Sequence, residues 1–535
     1  MIKKHIFVFI LCPLIAFAQP GTESAVLTIN STLAYQGFGE NTAHNGTAEY
    51  KIFYDNIDGI LDKPIFILDG FDPGDSRDIS ALFNGFNNAP TTENIVDELR
   101  NEGYDLIIVN FPSYISSSDG TTAIDGGADF IQRNAYSVIA LIELINSEPT
   151  KTDDNVVIGP SMGGLISQYA LRYMEQNSIP HETRLYISFD TPHLGANIPI
   201  SIQYSFNYMV NGAPSQTAFQ PGLDDLNSPA AKQMLIDHYL AHVGPDGFTQ
   251  TGSNLPQGAP NFRDAFQAEL NAMGFPENTR NVAMINGSGL GVTSGSPGAN
   301  IINRAFNVSP FVIDLNLNFA PAASQSNIVS AIDLSINGIP LGNFTANAES
   351  PSFTDGVDSA PGGTTNLSTI DDGSNTLLTD FVNNLNETAY CFIPTVSSLA
   401  MSSTNNWYTQ PDNTTPFVNT YIPDANEEHV LLTNGHIAFA LSEIREEALS
   451  TSNLLAQEGV KLGLNPIKND LVLLNKSAQN QVQISVVDMT GKLVFQNITK
   501  LQARTSIPIN LSSGLYILDV KSGYESLLKT KLVVE

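Results

Sequence analysis

An α/β fold is predicted for most of this chain: a mostly parallel sheet covered on both faces, elaborated by a cap and a β insertion, with a small all-β sandwich at the C-terminal end. Three observations predict it. Short apolar strand-like runs alternate with amphipathic helical runs between Lys63 and Phe189, the pattern of parallel strands joined by crossover helices. One strand-to-helix junction, Val156-Val157-Ile158-Gly159-Pro160-Ser161-Met162-Gly163-Gly164-Leu165, holds a serine flanked by glycines at two-residue spacing. From Leu464 to Glu535 the text changes to short strands separated by turn signals, which reads as a separate antiparallel sandwich.

At 535 residues and 42% hydrophobic the chain is long enough for one large domain and a smaller one. Acidic residues outnumber basic ones 54 to 24, for a net charge of -30 without a basic cluster. Nucleic acid and anionic membrane surfaces are therefore poor partners. Residues 1–18 read as a signal peptide: Lys3 and Lys4, an apolar run from Ile6 to Phe17, and Ala16-Phe17-Ala18 before the cut. Cys12 follows Leu11 inside that run and reads as ordinary signal sequence, which leaves Cys391 alone in a mature chain starting at Gln19. With no partner for an intrachain disulfide, stability must come from the core. No later apolar run reaches the roughly 18 residues that cross a bilayer.

The elements follow in order. Ala25 to Asn30 and Ala48 to Tyr54 alternate like opening strands, and Lys63 to Leu68 is a buried strand that breaks into the loop Asp69-Gly70-Phe71-Asp72-Pro73. Glu93 to Glu102 is helical, stopped by Gly103; Tyr104 to Phe111 is a strand; Phe130 to Asn146 carries Val138, Leu141, Ile142 and Ile145 on one helical stripe. The strand Asn155 to Ile158, the helix Leu165 to Gln176 and the strand Arg184 to Phe189 come next. Residues 197–276, with helical patches at Ala230 to His242 and Arg263 to Met273, form the expected cap. Arg280 to Asn286 returns to strand, about 292–385 reads as an irregular β insertion, Tyr390 to Ile393 as the last core strand, and Ile437 to Ala448 as the closing helix of a domain spanning 19–450. A linker at 451–463 precedes the sandwich, whose strands are Leu471 to Leu474, Val482 to Asp488, Lys492 to Gln496, Leu515 to Val520 and Leu528 to Val534.

Gly-x-Ser-x-Gly between a strand and a helix has the form of a nucleophile elbow, a turn too sharp for side chains beside the serine. A serine hydroxyl is a weak nucleophile and needs a base, a carboxylate that orients the base, and donors for the oxyanion. Chain order in such a fold is Ser, acid, His. That removes His44, and His181 sits on the wrong edge of the sheet. The base should follow the last strand, which leaves His429, on the loop before the closing helix, ahead of His436, which could instead cap that helix. Asp190, at the end of the strand after Ser161, is the first candidate acid, with Asp355 and Asp358 as alternatives; any of the three could also be a turn aspartate. The oxyanion donors should be the backbone N–H groups of Met162 and Phe71. No metal or cofactor is expected. His238 and His242 are four apart on an expected helix, but Tyr239 stands where a zinc protease needs glutamate, and Asp55-Asn56-Ile57-Asp58-Gly59 lacks the ligand spacing of a calcium loop.

Residues of about 50–450 resemble the lipase and inositol-deacylase-like branch of the α/β-hydrolase superfamily, through Gly159-Pro160-Ser161-Met162-Gly163-Gly164, Thr191-Pro192-His193-Leu194-Gly195 and Asn426-Glu427-Glu428-His429-Val430. The resemblance implies an esterase or lipase using Ser161 and His429 on an acyl-ester substrate. Pro160 replaces the family's frequent histidine, and its usual Asp-Gly-x-Val-Pro acid signature is not recognisable before Pro394. Residues 464–535 resemble the C-terminal sorting domain of type IX secretion substrates, through Asn465-Pro466, Val487-Asp488-Met489-Thr490-Gly491-Lys492, Leu511-Ser512-Ser513-Gly514-Leu515-Tyr516 and Lys529-Thr530-Lys531-Leu532. That resemblance implies handling by the type IX machinery and release or attachment at the outer cell surface. The expected function is an exported serine hydrolase of carboxylic esters; the rival is a catalytically silent hydrolase-fold protein that binds at the surface.

Overall fold

The computed structural model describes residues 20–86, 94–212, 219–370, 376–412, 414–445 and 460–534, the last without 463–466, 469, 476–478, 489, 503 and 523–524. The expected signal peptide, and the linker up to residue 459, lie outside the described residues. The chain divides into two compact units, Met1–Leu441 and Ser442–Glu535.

The first unit runs β1 (Leu27–Tyr35), β2 (His44–Phe53), β3 (Pro64–Leu68), α1 (Ile79–Gly85), α2 (Ile95–Asn101), β4 (Asp105–Asn110), the ribbon β5 (Ser113–Ile115) and β6 (Ala123–Asp125), α3 (Ile131–Asn146), β7 (Asn155–Pro160), α4 (Met162–Gln176) and β8 (Thr183–Phe189). The cap follows as α5 (Ile200–Asn207), α6 (Gln220–Leu226), α7 (Pro229–Met234) and α8 (Arg263–Met273), and then β9 (Arg280–Met284). β10 (Asn300–Val308), β11 (Phe311–Asn318), β12 (Ser326–Ile336) and β13 (Ile339–Glu349) form the insertion, before β14 (Gly362–Asn366), α9 (Thr376–Val382), β15 (Ala389–Pro394), α10 (Thr395–Ser398), β16 (Asn419–Tyr421) and α11 (Asn434–Arg445), whose last turn lies past the unit's boundary at Leu441.

An eight-stranded sheet of order β1-β2-β4-β3-β7-β8-β9-β16 organises the unit. β1 and β2 enter antiparallel, and every pairing from β4 to β16 is parallel. This is the α/β-hydrolase arrangement. β3 and β4 are buried at every position because helices cover both faces. The stripe Val138, Leu141, Ile142 and Ile145 of α3 packs inward with Leu165, Ile166 and Tyr169 of α4.

Four readings of the sequence need correction. β15 is not a strand of the main sheet; among the described residues it pairs only with β14 in a two-stranded ribbon, and the sheet is closed by β16. β15 imitates a core strand because Tyr390, Cys391 and Ile393 are all buried, whereas Asn419-Thr420-Tyr421 has no apolar run to detect. The insertion is not irregular: β10 to β13 make a four-stranded antiparallel meander, turned tightly at Ser309-Pro310 and Asn337-Gly338. Its exposed face carries asparagine, aspartate and serine, which blurs the alternation. The helix expected across Ala230 to His242 stops at Met234, so His238 and His242 do not share a helix face; His238 Nδ1 instead accepts from Leu240 N–H in a short turn. α4 begins at Met162, three residues ahead of the Leu165 expected from propensity.

The second unit has two antiparallel sheets, β17 (Val460–Leu462), β18 (Asp470–Asn475) and β21 (Arg504–Pro508), and β20 (Leu493–Leu501), β19 (Gln479–Asp488), β22 (Gly514–Ser522) and β23 (Glu525–Val534). Leu471, Leu473, Ile484, Val486, Leu518, Val520 and Leu532 form its core. β17 and β21 are the strands missing from the sequence reading.

Candidate active site

β7 delivers Ser161 into a turn with φ 51° and ψ -129°, a region that L residues avoid. Such backbone costs about 1–3 kcal/mol and persists only where the surroundings enforce it. The surroundings here are close. A Cβ on Gly159 would stand 2.5 Å from Gly164 Cα, and one on Gly163 would stand 2.7 Å from Asp69 O. Ser161 N–H donates to Phe189 O at 2.8 Å, which ties the turn to β8.

Asp190 follows β8 directly, is fully buried and also has a positive φ of 45°. Its Oδ2 lies 2.7 Å from His429 Nδ1, while its Oδ1 accepts from Ser398 Oγ at 2.8 Å and from Asn286 N–H at 3.2 Å. Gly363 lies against the carboxylate so closely that a Cβ there would meet Oδ2 at 2.1 Å. His429 sits on the loop between β16 and α11. Its N–H donates to Thr364 O at 2.8 Å, Thr364 N–H donates to Glu427 O at 2.9 Å, and Glu427 N–H donates to Asn286 O at 2.8 Å, so the loop is fastened to β14 and to the exit of β9. The Phe392 ring stands against the imidazole at 4.9 Å and 78°. Nε2 of His429 is 2.8 Å from Ser161 Oγ. A carboxylate beside Nδ1 can only accept, so Nδ1 carries the proton and Nε2 is free to accept from the serine hydroxyl.

The other sequence candidates lie in different networks. Asp358 Oδ1 accepts from Asn197 Nδ2 at 3.0 Å and Oδ2 from Ala320 N–H at 2.7 Å, and burial pushes its carboxyl up to about 6. Asp355 accepts from Ala323 N–H at 2.8 Å. His436 is buried, with Nε2 donating to Ile285 O at 3.0 Å and Nδ1 accepting from Thr433 Oγ1 at 2.8 Å. His193 of the Thr-Pro-His motif bridges Ser188 and Gln168 in the core, and burial holds its pKa down to about 3.

The loop after β3 lies against the elbow: a Cβ on Gly70 would be 3.2 Å from Ser161 Cβ. Among the described residues the N–H groups of Met162 and Phe71 form no hydrogen bond within the protein. Arg77 organises this loop. Its Nη2 donates to Asp69 Oδ1 at 3.0 Å and to Phe71 O at 2.8 Å, and Gly70 N–H donates to the same Asp69 oxygen at 2.7 Å. Burial raises the Asp69 carboxyl to about 6 against the pull of Arg77.

Arg77, Asn286, Ser398 and Gly363 escaped the sequence reading. Arg77 left one signal, as the only basic residue between Lys63 and Arg100 in an acidic loop; Gly363 left another, in the pair Gly362-Gly363.

Residues 121–223, which include the elbow and Asp190, match the family described as "Putative serine esterase (DUF676)". The chain carries a serine-esterase-like α/β-hydrolase domain. Residues 465–535 match the secretion system C-terminal sorting domain, so the chain carries a type IX sorting module after its hydrolase-fold unit. No curated protein matches the chain. Among solved structures it is similar to Est1E from Butyrivibrio proteoclasticus, at 12% identity and a TM-score of 0.20 over 36% of this chain and 60% of that one, less than two thirds of its length. It is similar to lipase BlEst2 of Bacillus licheniformis at 14% identity and a TM-score of 0.23, covering 51% of this chain and 74% of that one. A third likeness, at 18% identity and a TM-score of 0.12, covers 14% of this chain and 9% of latent PorU from Porphyromonas gingivalis. The hydrolase fold rests on the strand order and the turn at Ser161.

Proposed function

We propose that the protein is an exported serine hydrolase that cleaves carboxylic esters through Ser161, His429 and Asp190, with the Met162 and Phe71 N–H groups as oxyanion donors. The observation that carries this reading is the continuous line of hydrogen bonds, 2.8 Å from Ser161 to His429 and 2.7 Å from His429 to Asp190, on a strained elbow. Ser161 Oγ attacks the acyl carbon as His429 Nε2 takes its proton, and the carbonyl oxygen gains charge against the two N–H groups. The tetrahedral intermediate expels the alkoxide, which leaves as alcohol with the proton from His429. Water then repeats the sequence on the acyl-enzyme, releasing the carboxylic acid and restoring Ser161. Residues 1–18 take the chain across the inner membrane and residues 464–535 take it through the type IX machinery, which removes the module and releases or attaches the enzyme at the surface.

A fluorophosphonate probe is expected to label the wild-type protein at one site and to leave Ser161→Ala unlabelled; labelling that survives the substitution sinks the assignment. Arg77 is a positioning residue in this scheme, since it holds the carbonyl of Phe71 and neutralises buried Asp69. Arg77→Met keeps the apolar stem but removes both of the hydrogen bonds that Nη2 donates. We expect kcat to fall about 100-fold, near the lower end for loss of an oxyanion donor, with KM changed less than threefold. Equal losses of kcat and substrate affinity in steady-state kinetics would instead place Arg77 in substrate binding.

A further inference from the structure

We propose that the ester's acyl part is a linear aliphatic chain, held in a cavity whose far wall is the β10–β11 face of the insertion; this rests on the hydrolase reading above. The cavity has a volume of about 530 Å³ and is lined at one end by Phe71, next to Gly70, which lies against Ser161. From there it runs between two elements that lie outside the main sheet. One side is the cap, through Ile202 and Met209; the other is the insertion, through Phe306, Ile313, Leu315 and Leu317. α9 closes it with Leu377 and Phe381.

The chemistry of that lining selects the occupant. Ser205 is already engaged, donating to Ser201 O at 2.8 Å and meeting Ser330 Oγ at 3.1 Å. Asp225 is the one charged residue on the lining among the described residues, next to Asp125 and Asp224 in its electrostatic surroundings. A sugar hydroxyl or an amide entering the cavity would exchange its water for few partners beyond Asp225 and Tyr390, and a phosphate head group would meet carboxylates. An uncharged methylene chain meets neither cost. The acyl carbonyl stays at Ser161, and the chain extends away past Phe71 toward the insertion.

Each methylene moved from water into such a lining is expected to raise kcat/KM roughly fourfold until the chain reaches the end wall. The test is a series of p-nitrophenyl esters from acetate to palmitate on the full chain, alongside fluorophosphonate labelling. A rise of at least 100-fold from acetate to octanoate supports the proposal. A profile that peaks at acetate or butyrate in a protein labelled at Ser161 overturns it and leaves the hydrolase reading standing. Absence of both labelling and turnover removes the hydrolase reading and this inference together. Leu315→Trp fills the insertion side and is expected to lower the octanoate-to-acetate ratio of kcat/KM at least tenfold; an unchanged ratio in folded protein also overturns the proposal. Should that variant not fold, the wild-type series decides alone.

Discussion

Asp190→Asn is expected to lower kcat about 10,000-fold while the protein keeps its fold and its substrate affinity, a loss of the size seen when a triad aspartate is made neutral. The reason lies in what surrounds the carboxylate. Asn286 N–H reaches Oδ1 and can only donate, so an asparagine at 190 must turn its carbonyl oxygen to that side. Its NH2 then faces His429 Nδ1, where the carboxylate oxygen stood at 2.7 Å. The imidazole can satisfy that donor only by shedding the Nδ1 proton, which places its hydrogen on Nε2 and points a donor at Ser161. A histidine in this tautomer cannot take the serine's proton. Steady-state kinetics on a short p-nitrophenyl ester gives the measurement, and a loss smaller than tenfold would move the acid's role away from Asp190.

Asp358→Asn is the matched comparison, and its effect should fall on stability. The Asp358 carboxyl is fully buried and its pKa rises from 3.8 to about 6. A carboxyl raised on folding contributes stability that is full below about pH 4 and is lost as pH climbs through about 6. Asparagine does not titrate. The difference in Tm, variant minus wild type, should therefore shift in the variant's favour between about pH 4 and pH 8, with kcat within about threefold of wild type.

Much of this molecule can be read locally. Ser161 stands out because the elbow compresses its requirements into six residues, and the alternation of β3 to β8 with their helices repeats a simple period. The partners of Asp190 cannot be read that way. Asn286 lies 96 positions away and Ser398 lies 208 away, and a single serine or asparagine carries no periodic signal. The sequence weighed Asp190 against Asp355 and Asp358 because each follows a strand in a turn-rich stretch. What separates them is tertiary: Asp190 faces His429, whereas Asp358 turns to Asn197 and Ala320. β16 shows the same limit for the fold. Three polar or aromatic residues close an eight-stranded sheet because β9 offers a parallel edge, not because their own pattern demands a strand.

The two histidines near the end of the hydrolase unit should separate cleanly into a kinetic and a thermodynamic phenotype. His429→Ala removes the only group hydrogen-bonded to Ser161 Oγ among the described residues. Loss of a triad base costs about a million-fold in kcat when the nucleophile and the oxyanion hole remain, and we expect 100,000- to 1,000,000-fold here with an unchanged thermal transition. His436→Ala touches no reacting group. It empties a fully buried site between the rings of Phe189 and Tyr421 and leaves Ile285 O without its donor at 3.0 Å. A cavity of that kind together with an unsatisfied carbonyl costs about 2–4 kcal/mol, so Tm should drop by several degrees while kcat at 25 °C stays within about threefold. Thermal unfolding and ester turnover measured on the same two preparations distinguish the outcomes. If His436→Ala lost turnover and His429→Ala kept it, the base would be His436, and the Ser161–His429 hydrogen bond would have no part in the chemistry.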